Sequence, residues 1–214
     1  MGSATAGGAR RKSMTKRIAV LASGRGSNFQ AVIDAIRGGI LPVSCAALIT
    51  DNPVAYAIER AKTAKIPVVV VDYSRYPSRE EYEHALLSAM QQVDPDLFVL
   101  AGYMRILGGE IVRAFPGRMI NIHPALLPSF TGLHAQRQAL EHGVKVAGCT
   151  VHFVDECLDG GPIIVQYCVP VLESDTEDTL AERILGYEHR CLPEAIRLFC
   201  EDRLAIEGRR VRIR

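Results

Sequence analysis

Between residues 17 and 123, short uninterrupted apolar runs alternate with stretches of helical periodicity. Few architectures accommodate that pattern. Runs this short and this continuously apolar read as strands buried on both faces, which requires helices on either side of a sheet. Arg17 to Ser23 (RIAVLAS) is the first run, bounded by Gly24 and Gly26. From Asn28 to Ile36, Phe29, Val32, Ile33 and Ile36 recur at helical spacing, and Gly38-Gly39 ends the helix. Val43 to Thr50 is the second strand, and Asp51-Asn-Pro53 is a turn and the start of a helix running to about Ala64. Ile66 to Val71 is the third strand. Pro77 to Glu81 reads as a cap and first turn, opening a helix to about Val93. Leu97 to Ala101 and Met119 to His123 are the fourth and fifth strands, separated by a loop and a short helix between Gly102 and Gly117. The order predicts right-handed βαβ units and an α/β fold: a Rossmann-like, mainly parallel sheet flanked by helices.

The later sequence departs from this rhythm. Cys149 to Val154 and Pro162 to Val171 read as two strands in succession around the turn Asp155 to Gly161, which predicts an antiparallel addition to the sheet. Thr176 to about Cys200 is one long C-terminal helix, with Pro193 a place for a kink. With no repeat or linker, residues 17–214 form a single domain of ordinary size. Residues 1–16, rich in Gly, Ala, Ser and basic side chains, read as a disordered leader or tag, or as a stretch before an alternative start at Met14.

The formal charge of +1 hides an asymmetry. Nine basic residues (Arg10, Arg11, Lys12, Lys16, Arg17, Arg209, Arg210, Arg212 and Arg214) lie at the two ends. Setting them aside leaves 16 basic against 24 acidic residues in the body, a net of −8. An acidic body argues against a nucleic-acid partner. No apolar run approaches the ~20 residues of a membrane helix, so no membrane partner is expected. The six cysteines lack zinc-type spacing, which predicts no metal, and their scatter through apolar runs suits a reducing, cytoplasmic setting.

The chemistry-bearing candidates lie at the ends of predicted strands. A strand points residues i and i+2 to one side, so the Asn121 amide and the His123 imidazole leave the fifth strand together. Pro124 and Pro128 then stiffen the exit. An Asn-x-His at a strand end is either a local cap or a catalytic pair. As a catalytic pair in acyl transfer it could stabilise an oxyanion, with a carboxylate to hold the imidazole and relay a proton. Asp159 in Leu-Asp-Gly-Gly-Pro is the favoured carboxylate, although Asp-Gly is also a common turn; Asp155 and Glu156 are its rivals. His152 alternates with core residues and reads as a satisfied strand histidine; His134 and His142 read as loop or surface. No serine lies in a nucleophile elbow and no cysteine has an evident base partner, which favours direct transfer without a covalent enzyme intermediate. Upstream, Ser23-Gly-Arg-Gly-Ser-Asn28 is neither a dinucleotide fingerprint nor a P-loop. It is an ordinary glycine-rich turn or a phosphate site at a helix start.

Four segments occur in order: Val20-Leu-Ala-Ser-Gly-Arg-Gly-Ser-Asn28, Leu100-Ala-Gly-Tyr-Met-Arg-Ile-Leu107, Asn121-Ile-His-Pro-Ala-Leu-Leu-Pro-Ser-Phe130, and Gly148 through Leu-Asp-Gly-Gly-Pro162. From about Lys16 to Leu204 the chain resembles the folate-dependent formyltransferase family, in particular its phosphoribosylglycinamide formyltransferase (glycinamide ribonucleotide transformylase) branch in purine biosynthesis. The resemblance implies a catalytic trio of Asn121, His123 and Asp159. It implies that Gly26, Ser27 and Asn28 hold the phosphate of glycinamide ribonucleotide, and that Glu188 binds its amine or ribose side. It implies a folate site from Leu100 and Met104, Arg105, Ile106 and Leu107, with Asn121 beside it. Arg79 would meet the benzoyl-glutamate part, and Asp155, Glu156, Cys157, Leu158 and Asp159 would close over the pteridine. The cosubstrate implied is 10-formyltetrahydrofolate. Monomer and homodimer stay open. Arg25, Tyr103 and Ala125 are small departures from the family pattern that remove no catalytic group. Methionyl-tRNA formyltransferase shares the Asn-x-His and Asp-Gly-Gly signals but would normally carry a further basic domain. A non-catalytic nucleotide-binding module is the remaining alternative.

Overall fold

The computed structural model describes residues 15–214. Residues 1–14, most of the expected leader, lie outside the described residues; Lys16, assigned to that segment from sequence, begins the first strand. The strands are β1 (Lys16–Leu21), β2 (Val43–Thr50), β3 (Val68–Val70), β4 (Leu97–Leu100), β5 (Met119–His123), β6 (Val146–Phe153), β7 (Ile163–Pro170), β8 (Leu204–Glu207) and β9 (Arg210–Ile213). The helices are α1 (Ser27–Arg37), α2 (Ala57–Ala64), α3 (Arg79–Val93), α4 (Gly109–Ala114), α5 (Ala135–Glu141) and α6 (Glu177–Cys200).

Among the described residues, one sheet runs β3-β2-β1-β4-β5-β6-β7-β9-β8. The pairs from β3 to β5 are parallel. β6 and β7 then add antiparallel, as the two successive apolar runs predict. Alternate strand residues enter opposite layers. Ile18, Val20, Ile120 and Ile122 pack with residues of α1 and α6, while Ala19, Leu21, Phe98 and Met119 pack with residues of α3 and α4. Both faces are covered, hence the unbroken apolar runs. The chain order reverses between β1 and β4, and in such sheets the crevice beyond the strands' carboxyl ends at that point receives ligands.

Local signals set the helix ends. Ser78 Oγ accepts from Glu81 N at 3.2 Å, the cap that opens α3. Thr176 and Thr179 form a capping box at the start of α6, which continues through Pro193. Beyond shifted strand ends, such as β6 starting at Val146 and not Cys149, three larger features differ from the sequence expectation. α2 starts at Ala57, not at Pro53, because Asn52 Oδ1 takes Val54 N at 3.1 Å and closes a local turn first. α5 does not stand out in the sequence because its apolar signal is short, two small residues, Ala135 and Ala139, with the half-buried Leu140. The basic tail forms the β8–β9 hairpin, with Arg210 beside Ile163 of β7. No described helix is long and apolar enough to cross a membrane.

Candidate active site

A cleft of about 550 Å³ opens at the carboxyl ends of β1, β4 and β5. At its floor, Asn121 and His123 leave β5 on one face, as the two-residue period requires, while Ile120 and Ile122 enter the core behind. The antiparallel register sets Asn121 opposite His152 and His123 opposite Thr150. Thr150 Oγ1 donates to Ala125 O at 2.6 Å and accepts from Leu127 N at 3.1 Å. Gln166 Nε2 donates to Leu127 O at 3.0 Å. These bonds hold the proline-bordered loop after His123.

His123 is 5% exposed. Its Nε2 is 2.8 Å from Phe130 O and donates to it, and its Nδ1 faces Asp159 Oδ2 at 3.5 Å. A ring protonated on both nitrogens therefore finds an acceptor on each side. Asp159 has φ 51, a left-handed backbone that few side chains adopt, and its Oδ2 also accepts from Gly132 N at 2.8 Å. Two glycines make that conformation feasible. A Cβ on Gly161 would stand 1.9 Å from Phe153 O, and one on Gly160 would stand 2.6 Å from the Cys157 Cβ. The rival carboxylates are engaged elsewhere. Asp155 Oδ1 accepts from Cys157 N at 2.9 Å within its own turn, and Glu156 pairs with Arg113 at 2.9 Å on the surface.

His152 belongs to the site, contrary to its reading as a plain strand histidine. Its Nε2 lies 3.2 Å from Asn121 Nδ2 and 3.8 Å from Asp159 Oδ1. It is 2% exposed, and burial pushes its pKa below the ordinary value. Period-2 alternation along β6 does put His152 on the face opposite Val151 and Phe153, but that it meets Asn121 depends on register.

The glycine-rich loop forms the second wall. Gly26 has φ 67, and a Cβ there would meet the Ala57 Cβ at 2.8 Å, so glycine is required. Among the described residues no side chain caps α1, which leaves its first-turn amides available to an anion. Ser27 and Asn28 line the cleft; Gly26 makes the turn behind them. Arg25 is exposed, and its carbonyl accepts from Arg60 Nε at 2.8 Å. Asn28 Nδ2 donates to Glu188 Oε2 at 2.7 Å, joining α1 to α6. Burial raises the Glu188 pKa, partly opposed by that bond. Asn28 Oδ1 is buried without a partner among the described residues.

Leu100, Met104, Arg105, Ile106 and Leu107 form the third wall, faced by Asp155 to Asp159. Met104, Ile106 and Leu158 are exposed apolar residues at the rim. Arg79 stands behind this wall, where its Nη2 donates to Ile106 O at 3.2 Å and its Nε pairs with Glu83 at 2.6 Å. His134 lines the mouth of the cleft and faces Glu177 at 3.6 Å; His142 is exposed. A larger cleft, about 760 Å³, lies between α1 and α6 and shares only Ser27 with this one; Asn121, His123 and Asp159 are not in it. No group of three His, Cys, Asp or Glu side chains fit to hold a metal occurs among the described residues.

An imidazole between a carboxylate and a carbonyl, beside an oriented amide and below an uncapped helix start, suits acyl transfer to or from an anionic ligand. The formyl transferase family profile matches residues 16–196. The chain belongs to the formyl transferase family. The crystal structure of glycinamide ribonucleotide transformylase 1 from Symbiobacterium toebii is similar at 56% identity and TM-score 0.90, covering 93% of this chain and 94% of that one. The phosphoribosylglycinamide formyltransferase of Bacillus subtilis is 42% identical over 85% of this chain and 93% of its own length. The Drosophila melanogaster trifunctional purine biosynthetic protein adenosine-3 is 47% identical over 85% of this chain, which spans only 14% of that longer protein.

Proposed function

We propose that this chain transfers the formyl group of 10-formyltetrahydrofolate to the amine of glycinamide ribonucleotide. The products are formylglycinamide ribonucleotide and tetrahydrofolate, in a cytoplasmic step of de novo purine biosynthesis. The observation that carries this reading is the His123–Asp159 pair, 3.5 Å apart, beside Asn121 and between two differently built walls. The uncapped α1 start at Gly26, Ser27 and Asn28 suits the nucleotide phosphate. The Glu188 carboxylate and the unpartnered Asn28 Oδ1 are acceptors suited to the donor-rich glycyl side of that substrate. The apolar Met104–Leu107 wall suits the folate, with the Asp155–Asp159 segment facing it.

In this mechanism the amine nitrogen attacks the formyl carbon. Asn121 donates to the oxygen as it becomes an oxyanion, and His123, protonated between Asp159 and Phe130 O, stabilises it by its positive charge. The bond from that carbon to the folate nitrogen then breaks. Asp159 passes the proton from the attacking nitrogen to the departing one through water, so charge and atoms balance without a metal.

The test is to incubate the purified protein with 10-formyltetrahydrofolate and glycinamide ribonucleotide and to follow tetrahydrofolate release. Turnover supports the reading. No turnover here, with turnover on methionyl-tRNA, overturns the substrate. No turnover on either favours the non-catalytic module.

A further inference from the structure

The Met104–Leu107 wall has no regular secondary structure, yet three side chains from separate parts of the fold hold it. Ser23, two residues beyond β1, accepts from Met104 N through Oγ at 2.9 Å. Arg79, at the start of α3, holds Ile106 O at 3.2 Å. Arg105 reaches back past the wall to Asp51, just beyond β2, with Nε 2.9 Å from Oδ2. Its guanidinium stacks 3.8 Å from the centroid of the Tyr73 ring.

The Asp51–Arg105 contact differs from an ordinary surface pair. The Asp51 side chain is 4% exposed and that of Arg105 is 42% exposed. Among the described residues, Oδ1 of Asp51 is buried without a partner and Arg105 is the only cation paired with this carboxylate. A buried charge with one partner holds that partner firmly. Tyr73 fixes the plane of the guanidinium, and Tyr73 N donates to Asp51 O at 3.1 Å, which ties platform and carboxylate together. Asp51 is not among the residues that line the cleft.

We infer that Asp51 is a positioning residue for the formyl donor: by clasping Arg105 against Tyr73 it fixes the backbone of the wall on which the folate is read. This rests on the formyl-transfer reading above. The reacting centre is independent of the clasp, because Asn121, His123 and Asp159 are held by β5, β6 and the Asp155–Gly161 turn. Weakening the clasp therefore loosens the donor and spares the chemical step.

The experiment compares Asp51→Asn, Arg105→Met and the double variant in steady state with each substrate varied. Each single variant raises KM for 10-formyltetrahydrofolate about tenfold, the order expected for loss of a charge-assisted bond. Asp51→Asn leaves kcat and KM for glycinamide ribonucleotide within about twofold. The double variant is no worse than Arg105→Met, since the two residues act as one unit. Arg105→Lys restores only part, because an ammonium cannot stack in the plane of a guanidinium. If Arg105→Met lowers thermal stability by stranding the Asp51 charge, the double variant removes both charges and still shows the raised KM. An unchanged folate KM in both single variants, additive effects in the double, or an equal rise for both substrates overturns the inference. Absence of formyl transfer by the unaltered protein is a failure of the activity reading instead. The clasp is then tested by calorimetric titration with tetrahydrofolate: about tenfold weaker binding to Asp51→Asn supports it, and equal binding overturns it.

Discussion

The Asn121 side-chain nitrogen lies 3.2 Å from Nε2 of His152, its partner across the β5–β6 ladder. The other ring nitrogen, Nδ1, is 2.8 Å from Phe153 O and must carry the proton to bond it. Nε2 therefore keeps its lone pair and accepts one amide hydrogen from Asn121. That fixes which way the amide faces and leaves its second hydrogen to aim at an oxyanion. Replacing Asn121 by Ala is expected to lower kcat by about 10²–10³. Replacing His152 by Phe keeps the bulk and removes the acceptor, and is expected to lower kcat by at least about tenfold with both KM values near normal. Equal rates for His152→Phe and the unaltered protein would show that the amide needs no such partner.

The same bond makes a pH prediction. Burial lowers the His152 pKa from its ordinary 6.5. Above that value the ring is neutral whether the chain is folded or unfolded, and contributes no pH dependence. Below it the unfolded chain binds the proton more readily, so stability falls as pH drops from about 6.5 towards the lowered folded value. Protonation also sets an N–H against the Asn121 donor, so kcat falls with it. His152→Phe should flatten this limb of the stability profile, read from chemical denaturation at several pH values.

Glu188 carries the opposite sign. Burial raises its pKa above the ordinary 4.5. Its contribution to stability is full below that value and is lost as pH rises through the raised folded pKa, because the unfolded chain gives up the proton first. At neutral pH, Glu188→Gln should therefore unfold at a higher temperature than the unaltered protein. It should also raise KM for glycinamide ribonucleotide about tenfold, through loss of a charged acceptor. A lower melting temperature would defeat the burial argument, and an unchanged KM the binding role.

Asp159→Asn keeps the shape of the carboxylate and removes its charge. The expected result is a fall in kcat of about 10²–10³ with little change in either KM. Steady-state rates near normal would remove Asp159 from the chemistry. Gly161→Ala tests the turn that delivers it. The new Cβ would stand 1.9 Å from Phe153 O, a backbone atom that cannot step aside alone. The turn must shift, at a cost of about 1–3 kcal/mol in stability, and kcat should fall with it.

Thr150 tests the support beneath His123. It is fully buried, and its hydroxyl serves Ala125 O, Leu127 N and Gln166 Nε2. Thr150→Val keeps the volume and strands those groups. Denaturant titration should show a loss of about 2–4 kcal/mol.

The elements were legible wherever a local rule governs them. β2 and β5 have the bounds that their apolar runs suggest, Ser78 opens α3, and Asn121 and His123 share a face because a strand has a period of two. Features carried by few or small apolar residues were not legible. α5 fully buries only Ala135 and Ala139, with Leu140 half-buried, and in the basic tail the half-buried Leu204, Ala205 and Val211 gave too little apolar signal to mark a hairpin.

The sequence by itself determined the strand–helix alternation, the antiparallel addition, the glycine-rich turn after β1 and the Asn121–His123 pair. Each depends on residues within a few positions of one another, where periodicity, capping and turn chemistry act. Only the tertiary structure decided that Asp159, not Asp155 or Glu156, faces His123, that His152 orients Asn121, and that Asp51 clasps Arg105. Those are contacts between residues 31 to 54 positions apart in the chain for His152–Asn121 and Arg105–Asp51. They depend on strand register and on a left-handed turn, and so become visible only when the sheet is assembled.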